Sequence, residues 1–176
     1  MGDFALYQGN LSVAENEKAA EYLVKEVFLE PGIRYIIAGM NPSRSLEKLV
    51  SQTPNVTLIP NPTDEEMCGL ISAAQVNILV TFQPTGLKLK LLNALFNGRY
   101  CLVNPEMVSG TELIELCETG KNAQELRQKM AKLMVQPFNE ESIYLRREKL
   151  LKWHSNKENC IRLLNLLSLF VRHGNS

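Results

Sequence analysis

The sequence predicts an α/β fold, a Rossmann-like parallel sheet with helices on both faces. Three observations carry that reading. Short β-rich apolar runs alternate along the chain with stretches whose apolar residues recur at spacings of three and four. The loops joining them are short and rich in Gly, Pro, Asn, Ser and Thr. At 176 residues, with 45% hydrophobic and 22% charged residues, the chain can bury a core of ordinary size and shows no disorder signature. Alternating strands and helices on short loops specify a parallel sheet.

The elements follow in order. "FALYQG" (4–9) is a short strand stopped by a glycine, and "VAENEKAAEYLVKEVF" (13–28) is helical, with Ala19, Tyr22, Leu23 and Val27 on one side. "IRYIIAG" (33–39) is a buried strand. "SRSLEKLVSQ" (43–52) is a helix with Ser43 as N-cap behind Pro42. "NVTLIPN" (55–61) is a third strand. In "TDEEMCGLISAA" (63–74), Thr63 and Glu66 have the spacing of a capping box. "VNILVTF" (76–82) and "YCLV" (100–103) are further strands, on either side of a helix that starts near Lys88. A short helix near 110–116 leads through "CETGKN" into a helix over 123–134. After Pro137 the pattern changes to two helices with no strand between them, and the second carries an unusually wide apolar stripe. The expected organisation is a Rossmann-like domain over 1–136 and a helical extension over 137–176 that packs on it.

Composition narrows the function. With 19 basic and 19 acidic residues the net charge is zero, so the chain lacks the broad positive field of a nucleic-acid binder. Cys68, Cys101, Cys117 and Cys160 form no C-x-x-C pair, and three lie in apolar runs, which points to buried thiols in a reducing compartment. His154 and His173 stand apart from any Cys or Asp cluster, so no metal site is expected. There is no leader pattern and no apolar run near 18 residues, which predicts a soluble, cytoplasmic chain without a transmembrane segment.

In a parallel sheet, ligands bind in the loops at the carboxyl ends of the strands. Here these read "QGNLS", "GMNPS", "PNPTD", "QPTGLK" and "NPEMVSG". The fourth places Lys88 and Lys90 in the first turn of a helix, the end that favours anions rather than cations. A bound phosphate, sharing the helix N–H groups with the ammonium groups, would explain them. Helical spacing sets Lys90, Asn93 and Asn97 on one face and Leu87, Leu91 and Leu95 on another.

The order of these segments resembles the C-terminal half of a GT-B type glycosyltransferase, of the retaining group known as family 4. "YQGNLSVAENEKAAEYL" is similar to the family's opening segment, and "IIAGMNPSRSLEKLV" to its "G-x-G-P" strand and turn. "PNVTLIPNPTDEEMCGLISAAQVNILVTF" resembles the next stretch, and "TGLKLKLLNALFNGRYCLVN" the variant "G-x-K-x-K-x-L-E-A-x-A-x-G-x-P-V-V". The likeness spans residues 4 to 134. It implies a domain that holds the base, ribose and diphosphate of a nucleotide-sugar donor, with the acceptor held by a separate N-terminal domain missing from this chain. The fragment alone would then be inactive, and peripheral attachment to the inner face of a membrane would come through that domain. The donor-binding residues it implies are Gly9, Asn10, Pro60, Asn61, Thr85, Gly86, Leu87, Lys88, Lys90 and Asn93. Met40 and Asn41 could wall the nucleotide, and Glu106 with the Ser109–Gly110 turn could approach the sugar.

Several departures fall on the residues that do the family's chemistry. Asn10 stands where the family has an Arg on the diphosphate, and Glu15 or Asn16 where it has a Lys. Asn93 stands where a Glu binds ribose hydroxyls, and Gln83 is nearest to the first Glu of the family's paired-glutamate motif. An amide can bond a hydroxyl, but without a carboxylate's charge-assisted strength. No catalytic residue follows from the sequence, and no metal cofactor is expected if lysines and N–H groups neutralise the diphosphate. Three readings remain open: a retaining hexosyltransferase half acting in surface polysaccharide synthesis, a nucleotide-sugar epimerase-like enzyme, and a Rossmann-like binding module that has lost catalysis.

Overall fold

Five of the apolar runs become parallel strands: β1 (Phe4–Asn10), β2 (Arg34–Met40), β3 (Val56–Pro60), β4 (Val76–Leu79) and β5 (Tyr100–Val103). A two-residue strand, β6 (Glu118–Thr119), completes the edge inside a stretch that reads as a loop. The computed structural model describes residues 2–83 and 88–154. Thr85, Gly86 and Leu87, Cys160, His173 and the wide apolar stripe beyond residue 154 therefore lie outside the described residues.

The six strands run in the order β3-β2-β1-β4-β5-β6, all parallel. The chain builds outward from β1 in one direction, then returns to add β4 on its other side. The β1/β4 boundary is thus a topological switch point, where loops on the two sides diverge and leave a crevice.

The central strands β2, β1, β4 and β5 are buried on both faces, which is why they read as continuous apolar runs rather than alternating ones. Along β1, Phe4 and Leu6 point to one face and join Ile36, Ala38, Ile71 and Ala74 in a cluster under Met67 and Leu70 of α3 (Asp64–Ala73). Ala5 and Tyr7 point to the other face, where the Tyr7 hydroxyl donates to the Asn16 carbonyl of α1 (Ala14–Tyr22) at 2.9 Å. Past Tyr22 the helix widens into one π-helical turn, Leu23–Val27, in which Phe28 N–H reaches the Leu23 carbonyl at 2.7 Å. That turn delivers Phe28 flat against Tyr35 of β2, with ring centroids 4.1 Å apart.

Caps behave as the sequence predicts. Ser43 Oγ accepts the Leu46 N–H at the start of α2 (Arg44–Ser51). Thr63 and Glu66 form the reciprocal capping box of α3, with bonds of 3.2 and 2.7 Å. The expected helix near 110–116 is instead a 3₁₀ segment, Glu112–Leu116, preceded by a single turn, α5 (Pro105–Val108), with Pro105 at its first position. The strand over 76–82 stops early, at Leu79: its partner β5 ends at Val103, and Asn104 then takes over the pairing. Asn104 Oδ1 accepts the Thr81 N–H at 3.0 Å and its Nδ2 donates to the Thr81 carbonyl at 2.6 Å.

The cysteine expectation needs correction. Cys101 is buried in β5 and Cys117 is half-buried, but Cys68 is exposed. On α3 the inward stripe is Met67, Leu70 and Ile71, and Cys68 falls beside it.

Helix α6 (Ala123–Val135) buries Leu126, Met130 and Leu133. Buried Gln75 closes this unit: its side chain accepts the Gly2 N–H and donates to the Leu133 and Gln136 carbonyls. The chain divides into two units after Phe138, and helix α7 (Glu140–His154) belongs to the second.

Candidate functional site

At the switch point the strand ends open into a cavity of about 680 Å³. Gln8, Gly9 and Asn10 line it from β1, Gly39 and Met40 from β2, Pro62 from the loop after β3 and Asp64 from the start of α3. Thr81 and Gln83 follow β4, and Lys88, Leu89, Lys90 and Asn93 come from the start of α4 (Leu89–Asn97).

Glycine at 39 is a packing requirement: a Cβ there would lie 1.8 Å from the Gly9 carbonyl oxygen. The two loops beside it clasp each other. Asn41 and Asn61 both adopt left-handed backbone, at φ 49° and 51°, a region asparagine tolerates better than most residues. Asn61 Oδ1 accepts the Asn41 N–H at 2.7 Å, and Asn61 N–H donates to the Gly39 carbonyl at 2.9 Å. Pro60 and Asn61 are thus spent on loop geometry and do not line the cavity. Met40 does line it.

The two lysines are brought together with the first loop. Lys88 sits at the N-cap of α4, and its ammonium donates to the Gln83 carbonyl at 3.0 Å. Lys90 crosses the switch point: its ammonium donates to Asn16 Oδ1 at 3.0 Å and lies 5.3 Å from the centre of the Tyr7 ring. Gln8 Nε2 donates to the Lys90 carbonyl at 3.1 Å, fastening the head of α4 to β1. Burial lowers the Lys90 pKa from its usual range to about 8, with Lys88 adding to the effect and Glu15 opposing it. Burial, and then Glu15, pushes the Tyr7 hydroxyl well above its ordinary value. Tyr7 stays neutral and offers Lys90 only its ring.

Asn10 lines the cavity while holding its own turn. Its Oδ1 accepts the Ser12 N–H at 3.1 Å and the Ser12 hydroxyl at 2.7 Å. Asn93 also lines the cavity, with its Oδ1 accepting from Asn97 Nδ2 at 2.7 Å, one helical turn along the face foreseen from the spacing. Leu91 and Leu95 are buried on the opposite side, as the same spacing requires. Glu15 also faces the cavity. Its carboxylate accepts the Phe82 N–H at 2.7 Å and approaches the Thr81 hydroxyl at 3.5 Å, tying α1 to the segment that leads into α4.

Glu106 accepts from Asn104 Nδ2 at 2.6 Å and faces a separate cleft of about 180 Å³ with Tyr22 and Phe82, rather than the main cavity. Among the described residues, no group of three or more His, Cys, Asp or Glu side chains could hold a metal ion, and no helix is long and apolar enough to cross a membrane. Gln8, Thr81 and Met107 join the lining without a signal in their residue type; only position at a strand end could have found Gln8 and Thr81.

No protein-family model and no curated protein matches the sequence. Solved structures do match in three dimensions. The C-terminal domain of a glycosyl transferase group 1 family protein from Francisella tularensis superposes with a TM-score of 0.58 at 14% identity, over 87% of this chain and 86% of that one. The chain has the GT-B C-terminal fold. A glycosyltransferase from Rickettsia africae shares this GT-B fold with a TM-score of 0.71 at 12% identity, over 94% of this chain and 47% of that one. AviGT4, a glycosyltransferase involved in avilamycin A biosynthesis, gives 0.59 at 17% identity, over 96% and 52%. The present chain therefore spans about half the length of these two solved proteins. In the GT-B frame, its main cavity lies at the carboxyl end of the sheet.

Proposed function

We propose that the chain is the donor-binding half of a retaining glycosyltransferase that moves a sugar from a nucleotide-sugar to a saccharide acceptor, in surface polysaccharide synthesis. The observation that carries this is the meeting of Lys88, Lys90 and the head of α4 with the Gly9–Asn10 loop in one cavity at the switch point. Two cations and the N–H groups at a helix start suit a diphosphate. A structure of S. aureus TarM, which has this fold, is a complex with UDP. As the glycosidic bond to the donor breaks, negative charge grows on the departing diphosphate, and fixed positive groups lower the barrier by stabilising it. In this reading the lysines do the neutralising, and no metal is required of the site.

Glu15 favours a second reading. A carboxylate lining the cavity opposes an incoming diphosphate, and its bond to Phe82 N–H occupies a donor there. A binding module that has left catalysis behind would tolerate this more easily than an enzyme. Calorimetric titration with UDP and GDP separates the two from a site with no nucleotide role. The donor-site reading predicts measurable affinity that falls about tenfold in Lys88→Ala and hardly at all in Asn10→Ala. Binding of neither nucleotide by the wild-type protein overturns it.

A further inference from the structure

We propose that Lys90 is the principal cation of the diphosphate site, and that Asn16 is the positioning residue that holds it there. This rests on the donor-site reading above. The first loop and the head of α1 have no cation of their own, since Asn10, Glu15 and Asn16 stand there. A positive charge reaches that loop from the other side of the switch point instead, because Lys90 extends from α4 to Asn16, 74 positions away in sequence.

The geometry around Asn16 is built for this. Its Nδ2 donates to the Asn10 carbonyl at 2.9 Å, which fixes the plane of the amide and aims Oδ1 at the Lys90 ammonium, 3.0 Å away. Its backbone is pinned by the Tyr7 hydroxyl at 2.9 Å. A Cβ on Gly9 would lie 3.3 Å from Asn16 Cγ, so a glycine there gives the amide its space. Tyr7 supplies an aromatic face to the same ammonium. The charged and titratable groups around Lys90 are Glu15 on α1, Tyr7 on β1, Lys88 at the head of α4 and Asp64 across the cavity.

A neutral amide suits the task. It orients an ammonium without neutralising it, leaving the positive charge available to an anion. A carboxylate at position 16 would lose the bond to the Asn10 carbonyl, pair the charge and repel the diphosphate. Lys90 touches the ligand in this account; Asn16 acts through Lys90.

The test is a double-mutant cycle read by UDP affinity, with thermal melting as a folding control. Lys90→Met is expected to weaken UDP binding about 10- to 100-fold, the worth of one charge-assisted hydrogen bond. Asn16→Ala is expected to weaken it about fivefold. The double variant should bind no more weakly than Lys90→Met alone, because the amide has nothing left to position. Asn16→Ser is the substitute if Asn16→Ala fails to fold. Asn16→Asp gives the readout that a merely structural residue would not move: affinity lost at neutral pH, and its further decline with pH displaced upward from about 8. Losses that simply multiply in the double variant overturn the positioning role. UDP binding that survives Lys90→Met intact overturns the role of Lys90 while leaving the donor site standing. No UDP binding by the wild type removes the donor site itself, and this proposal with it.

Discussion

Binding of UDP at pH 8 is expected to draw protons from solvent, and the amount can be worked from Lys90. Its pKa is lowered to about 8 by burial first and Lys88 second. At pH 8 half of the unliganded molecules therefore carry the ammonium. A diphosphate beside it brings compensating negative charge and returns the group to its usual range, so that the complex is fully protonated. The uptake is the difference, about 0.5 proton per UDP at pH 8, and about 0.03 at pH 6.5, where Lys90 is already charged. The nucleotide contributes little at pH 8, because its outer phosphate, with a pKa of about 6, is already ionised; at pH 6.5 about a quarter of it is still protonated, and release of that proton on binding outweighs the small uptake by Lys90. The assay is calorimetric titration in two buffers of different ionisation enthalpy, repeated with Lys90→Met. Affinity should also fall with the charged fraction, to about thirtyfold weaker at pH 9.5 than at pH 7. Equal uptake at both pH values, or undiminished uptake in Lys90→Met, would refute the reasoning.

Three further outcomes concern the fold. Stability to urea should rise with pH between about 8 and 10, because the unfolded chain holds a proton on Lys90 that the folded chain has released. It should then fall above about 10, because Tyr7 and Tyr35 keep their protons when folded, Tyr35 up to about 12, and lose them when unfolded. Lys90→Met should remove the rise and keep the fall. Gly39→Ala should cost about 3 kcal/mol or more in urea unfolding, since the new Cβ meets backbone rather than a flexible side chain; a change below about 0.5 kcal/mol would show that the β1–β2 ends can part freely. Thr63→Ala removes half of the capping box and should cost about 1 kcal/mol, seen as a melting temperature lower by about 3–4 °C.

The fold was legible because its central strands are buried on both faces and several of its helices are marked by caps. Uninterrupted runs such as "RYIIAG" announce themselves, and Ser43 and Thr63 fix two helix starts to the residue. The elements that escaped are held by tertiary partners. The two residues of β6 are a strand only because Leu102 and Val103 lie alongside, and the π-helical turn before Phe28 goes with Phe28 stacking on Tyr35. The site was legible as a set of strand-end loops, and less so as a set of contacts. Lys88, Lys90, Asn93, Gly9 and Asn10 do converge on the cavity. Pro60 and Asn61 do not line it, because left-handed backbone at Asn41 and Asn61 commits that loop to its neighbour. Glu15 and Asn16 look like losses in the sequence. In three dimensions one fastens the segment before α4 and the other receives Lys90, and no local pattern announces partners more than 60 residues apart.

The measurement that tests the central claim most directly is the map of backbone amide shifts in ¹⁵N-labelled protein titrated with UDP. The account predicts saturable shifts at Gly9, Asn10 and the Lys88–Leu91 turn, on both sides of the switch point. Shifts confined to the opposite end of the sheet, around Leu29, Ile33 and Asn55, or no shifts at any UDP concentration, would contradict it.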